Sequence, residues 1–135
     1  MPQSAKLADR LILIVDDDRD VLDTFNAALT AEGAETLLAS NGNDAVRLCA
    51  GDDPPDLVVL DMMLPGRSGF LALEKIKGRE DSPLVIMVTA NEGKRHEEYA
   101  GALGVDAYLQ KPVPLFKLVE TAARLLDERD EEEEE

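Results

Sequence analysis

The stretch Leu57 to Gly66, LVVLDMMLPG, constrains this chain more than any other. Leu57 to Leu60 is an unbroken aliphatic run that halts on Asp61, and Pro65-Gly66 then turns the chain. A short run of β-branched and aliphatic residues bounded by breakers predicts a strand buried on both faces. Asp61 then sits where that strand leaves the core, and in an open α/β sheet the carboxyl ends of the strands are where ligands bind. An isolated Asp at such a place most often serves a turn. Asp61 is not isolated.

Leu11 to Val15 (LILIV) is a second apolar run, and it ends abruptly in Asp16-Asp17-Asp18. Asp18 is placed to cap a helix whose apolar positions Val21, Leu22, Phe25, Ala28 and Leu29 recur at helical spacing, and Gly33 ends it. Thr36 to Ala39 is a short strand. Asn41 or Asn43 opens a helix carrying Ala45, Val46 and Leu48 inward, and Pro54-Pro55 breaks the chain before the central strand. Beyond Asp61, Ser68 or Gly69 begins a helix with Leu71, Leu73, Glu74 and Ile76. Another apolar strand, Leu84 to Val88, ends at Thr89-Ala90.

The next segment, Asn91 to Gly104, is polar, and only Tyr99, Ala100 and Leu103 make an apolar stripe. Each interior Gly costs a helix about 1 kcal/mol relative to Ala, so this helix is expected to be the least stable. Asp106 to Leu109 is the last strand, followed by Lys111-Pro112. Pro114 suits the first turn of a final helix with Leu115, Leu118, Val119, Ala122, Leu125 and Leu126 on its inner face.

Strand and helix thus alternate through the chain, which predicts an α/β fold with a parallel sheet covered on both faces. Right-handed crossovers and a doubly wound, flavodoxin-like order of 2-1-3-4-5 are the simplest solution. In that order the first and third strands are neighbours flanking the topological switch point. Asp16, Asp17 and Asp61 then converge on one crevice.

A chain of 135 residues is one domain. The pattern sets residues 1–9 as an N-terminal extension, 10–126 as the folded domain and 127–135 as an acidic, disordered tail. Of the formal charge of −15, Asp127 to Glu135 contributes −7 and the remainder −8. Both parts argue against direct binding to nucleic acid, which needs a basic footprint. No apolar stretch approaches the ~20 residues needed to span a bilayer, and MPQSAKLADR lacks the order of a signal peptide. The single cysteine, Cys49, reads as a packed thiol in a reducing compartment, so a cytoplasmic location is expected.

Three carboxylates packed together repel, and each would have its pKa raised unless a cation is present. Oxygen-only ligands favour a hard ion, Mg²⁺ or Mn²⁺. Thr89 and Lys111 lie at the ends of the fourth and fifth strands, at the same edge. A hydroxyl donor, an ammonium and a divalent cation together suit a phosphoryl group, which a carboxylate can accept as an acyl phosphate.

The set VDDD (Val15 to Asp18), LDMMLPG (Leu60 to Gly66), TA (Thr89-Ala90) and KP (Lys111-Pro112) resembles a response-regulator receiver domain of two-component phosphorelay signalling, of the stand-alone type. The resemblance covers about residues 10 to 126, with the motifs in order and at the right separations. It implies that Asp61 accepts a phosphoryl group from a phosphohistidine on a histidine kinase or a histidine phosphotransfer protein. It implies that Asp17 binds Mg²⁺ directly and Asp16 assists through water, while Asp61 gives an oxygen and Met63 its backbone carbonyl. Lys111 would pair with the phosphoryl, with a cis bond to Pro112. Thr89 and Tyr108 match the family's switch pair, which alters the face of the fourth helix, fifth strand and fifth helix for a downstream target. By this resemblance the protein is a signalling switch, not a turnover enzyme, and a monomer or a weak phosphorylation-dependent dimer. Met63 and Asn91 occupy the positions that tune phosphoryl lifetime in the family.

Other readings of the same residues fare less well. Asp16, Asp18 and Asp20 resemble the start of an EF-hand loop, but Val21 stands where glycine is needed and Ala27 where Glu is needed. A haloacid-dehalogenase-type phosphatase with Asp16 as nucleophile leaves the Asp61 stretch unexplained. A receiver fold used as a phosphorylation-independent docking module is the remaining alternative. His96, the only histidine, stands on a polar helix and is expected at the surface.

Overall fold

The computed structural model describes residues 5–90 and 93–134. Strands β1 (Leu11–Val15), β2 (Glu35–Ala39), β3 (Leu57–Asp61), β4 (Leu84–Thr89) and β5 (Ala107–Gln110) alternate with helices α1 (Arg19–Ala31), α2 (Gly42–Cys49), α3 (Gly69–Lys77), α4 (Lys94–Ala102) and α5 (Leu115–Glu134). The five strands pair in parallel in the order β2-β1-β3-β4-β5. This is the doubly wound order expected from the sequence, with β1 and β3 adjacent at the switch point.

The period of two along each strand divides the core. Ile12, Ile14, Leu57, Val59, Ile86 and Val88 face α1 and α5, where Leu22, Phe25, Leu29, Leu118, Ala122 and Leu126 meet them. Leu13, Val15, Val58, Leu60, Val85 and Met87 point to the opposite face, against Ala45, Cys49, Ala72, Leu73, Ile76 and Ala100. Every residue of β3 is buried. This strand anchors both layers.

Helix starts follow local chemistry. The Asp18 side chain accepts from the backbone N–H groups of Asp20 and Val21, Asn41 caps α2 through Asp44 N–H, and Ser68 caps α3 through Leu71 N–H. Gly33, at φ +97°, lets the chain leave α1, and Ala34 N–H closes onto the Leu29 carbonyl at 3.2 Å.

Several expectations need correction. The acidic segment after Leu126 is helical through Glu134, where composition predicts a disordered tail. Glu is a good helix former, and Arg10 holds the extension: its guanidinium lies 3.4 Å from Asp127 and 2.6 Å from Asp130. Arg129 reaches Asp56 at 3.8 Å. Leu7, within the presumed N-terminal extension, is fully buried against the α1 and α5 core. On α3 the inward stripe is Gly69, Ala72, Leu73 and Ile76, leaving Leu71 exposed and Glu74 outside. Leu115, expected on the inner face of the last helix, is also exposed, as is Tyr99 of the apolar stripe on α4.

Candidate functional site

Register builds the site. Val15 pairs with Leu60, so Asp16, one residue beyond, lies beside Asp61, the last residue of β3. Asp16 and Asp61 are buried while Asp17 is exposed, and one oxygen from each of the three lies within 4.8 Å of the others. Asp61 pairs with Val88 and Thr89 with Gln110, which brings Thr89 and then Lys111 to the same edge. Lys111 N–H donates to the Thr89 carbonyl at 2.8 Å, and the Lys111-Pro112 bond is cis.

The Lys111 ammonium lies 2.9 Å from Asp16 Oδ2 and 3.4 Å from Asp61 Oδ1. Asp16 Oδ1 accepts from Asp18 N–H at 2.9 Å. Both oxygens of Asp16 are thus engaged, whereas among the described residues Asp61 makes one long side-chain contact, to the ammonium. Burial pushes the Asp61 carboxyl up to about 6; repulsion from Asp16 and Asp17 adds to this, and attraction to Lys111 opposes it. For Lys111 burial works downward, but Asp16 and Asp61 outweigh it and raise its pKa. One ammonium therefore faces more negative charge than it neutralises. An oxygen-only donor set of this kind, closely spaced and mutually repelling, fits a hard divalent cation held by Asp16, Asp17 and Asp61.

Thr89 is fully buried, and its hydroxyl donates to Met62 Sδ at 3.8 Å. Tyr108 is half-buried on β5 and packs beside the α2–α4 core layer. Its hydroxyl is buried without a hydrogen bond of good geometry. Burial first and Glu97 second raise its pKa, while the neighbouring Thr89 hydroxyl pulls it back. The expected switch residues are therefore neighbours. Met63 presents an exposed side chain, and Asn91 lies outside the described residues.

His96 departs from expectation. It is half-buried and stacks on Phe70 at 5.8 Å between ring centroids, with 4° between the planes, while Tyr99 meets Phe70 edge-on at 5.0 Å. No sequence signal ties Phe70 to α4, because the two segments share neither a motif nor a common period. The residue before it, Gly69, is equally telling. A Cβ there would lie 2.4 Å from the Asp61 carbonyl oxygen, so α3 is seated directly on the end of β3. Cys49 is buried and free, and burial raises its thiol to about 12, as befits a packing residue.

The family model of the response regulator receiver domain matches residues 12–123. The chain belongs to this family. It is 32% identical to a CheY-like response regulator receiver domain protein from Methanospirillum hungatei, over 91% of this chain and 98% of that one, with a TM-score of 0.85. A receiver domain protein from Clostridium thermocellum is 27% identical over 90% of this chain and 97% of that one, at a TM-score of 0.83. NtrX from Brucella abortus matches 95% of this receiver at 29% identity and a TM-score of 0.85, through only 29% of its own length. No helix among the described residues is long and apolar enough to cross a membrane.

Proposed function

We propose that this receiver domain accepts a phosphoryl group on Asp61 from the phosphohistidine of a histidine kinase or a phosphotransfer protein, in the cytoplasm. The observation that carries this reading is the unequal engagement of the two buried carboxylates. Asp16 is held on both oxygens, and Asp61, at the mouth of β3, keeps an oxygen available for attack. In the transfer, an Asp61 oxygen bonds to phosphorus as the P–N bond breaks. The imidazole nitrogen departs with the electron pair and takes a proton from solvent.

Mg²⁺ or Mn²⁺, held by Asp16, Asp17 and Asp61 with the Met63 carbonyl, would neutralise charge on the phosphoryl oxygens. Lys111 moves its ammonium from the carboxylates to the new phosphoryl oxygens. The Thr89 hydroxyl donates to a thioether, a weak acceptor, and also neighbours the Tyr108 hydroxyl. A charged phosphoryl oxygen is far stronger, so the hydroxyl gains by turning to it. That turn disturbs its neighbour Tyr108, and through Tyr108 the α4–β5–α5 face that would meet a downstream target. The protein turns over only its own phosphoryl group and works as a switch.

The test is mass spectrometry of the intact protein after incubation with Mg²⁺ and acetyl phosphate. A single phosphoryl adduct is expected for wild type and Asp16→Asn at differing rates, and none for Asp61→Asn. Adduct on Asp61→Asn but not on Asp16→Asn would overturn the assignment in favour of a phosphatase-like nucleophile. No adduct in wild type that binds Mg²⁺ would leave a docking module.

A further inference from the structure

We propose that the first turn of α2, through Gly42 and Asn43, positions the Met63 carbonyl and so sets the affinity of the metal site. This rests on the metal-assisted reading above, but α2 itself gives no residue to the carboxylate cluster. The connection from β3 to α3 leaves the sheet at Met62 and returns at Gly69. Its base is closed by Gly69 N–H donating to the Met62 carbonyl at 2.9 Å. The close seat of Gly69 on the Asp61 and Met62 backbone, 2.4 and 2.6 Å from where a Cβ would stand, fixes that base.

The outer part of the same loop rests on α2. Gly42 N–H makes a long contact, 3.5 Å, with the Pro65 carbonyl. A Cβ on Gly42 would come within 2.0 Å of the Arg67 carbonyl oxygen, so only glycine admits this approach. Gly66, at φ +78°, brings its backbone to the Asn43 amide, 3.1 Å from where a Cβ would stand. Arg67 Nε donates to Asn43 Oδ1 at 3.2 Å. Met63 lies between these two pins. Its own side chain is exposed; Met62 and Leu64 on either side pack on the core, and the α2 pins fix the outer part of the loop and with it the direction of the carbonyl. Groups that orient a metal's ligands govern affinity even though they never touch the ion.

Asn43 is therefore a positioning residue, and its role separates from folding. It stands exposed in the first turn of α2, where Ala is the better helix former. Asn43→Ala is expected to leave the metal-free melting temperature unchanged and to weaken Mg²⁺ binding roughly tenfold by calorimetric titration. Asn43→Asp keeps an acceptor for Arg67 and is expected to restore affinity at high ionic strength, where its added charge is screened. Gly42→Ala should weaken binding further by forcing the Arg67 backbone away. Mg²⁺ affinity in Asn43→Ala equal to that of a wild type that binds the ion would overturn this inference alone. A wild type that does not bind Mg²⁺ would overturn both it and the reading beneath it.

Discussion

The end of β3 and the α4–β5 edge meet at Thr89, and they are held in opposite ways. Every residue of β3 is buried, with apolar side chains serving both core layers, and α3 is seated on its last carbonyl through Gly69. On α4 only Ala100 is buried, and Gly93, its cap, supplies no side-chain hydrogen bond. What else holds α4 includes an aromatic contact, Phe70 with His96 and Tyr99. The lesson is a division of labour. Phosphoryl transfer depends on fixed positions, and the proposed acceptor, Asp61, sits on the fully buried strand. A readout needs an element with two accessible arrangements, which come from the low end of local stability.

The contrast can be broken at its stiff side. Leu60→Ala should destabilise the domain by about 3 kcal/mol in urea unfolding, from lost burial and the cavity left behind. Tyr99→Ala on α4 should stay under about 1 kcal/mol. Equal losses at the two sites would remove the distinction between them.

Asp61, the proposed acceptor, carries a pH signature. Its pKa of about 6 lies above the ordinary carboxylate value because burial, and then Asp16, disfavours the ionised form. Its contribution to stability is thus fully present below the unfolded-state pKa, near 4, and is lost as pH rises through about 6. Without metal, Asp61→Asn should then raise the melting temperature at neutral pH, by a few degrees once solvent screening is discounted. Mg²⁺ competes with that proton, so its affinity should fall about tenfold between pH 7.5 and 5. A flat profile would show that Asp61 does not ligate the ion.

Smaller effects sharpen the soft side. Nothing lies within 4 Å of a Cβ built at Gly101, so Gly101→Ala should stabilise α4 by about 0.5–1 kcal/mol. Slower amide exchange confined to α4 is the expected mark. Phe70→Ala should do the reverse, speeding exchange in α4 while leaving β3 protected. Smallest of all, Arg10→Ala should fray α5 beyond Asp127, visible as lost amide protection there, with phosphoryl uptake unchanged.

The fold was legible where burial is two-sided. The runs ending at Val15, Leu60 and Val88 gave their strands, and the polar residues after them gave the site, because register alone brings strand ends together. Contacts between distant segments left no trace in local pattern. Arg10 pairs with Asp130 across nearly the whole chain, so the acidic segment read as disorder. His96 read as a surface residue because its neighbours on α4 are polar, while its aromatic partner belongs to α3. Leu7 read as an extension because a single apolar residue in a polar stretch has no period.

Asp61 is the residue proposed to form an acyl phosphate. Borohydride reduces such an anhydride at the carbonyl carbon and marks the residue that carried it. Peptide mapping after treatment with acetyl phosphate, Mg²⁺ and borohydride should place the reduced residue at position 61. Reduction at Asp16, or at neither residue in protein shown to bind Mg²⁺, would contradict the account.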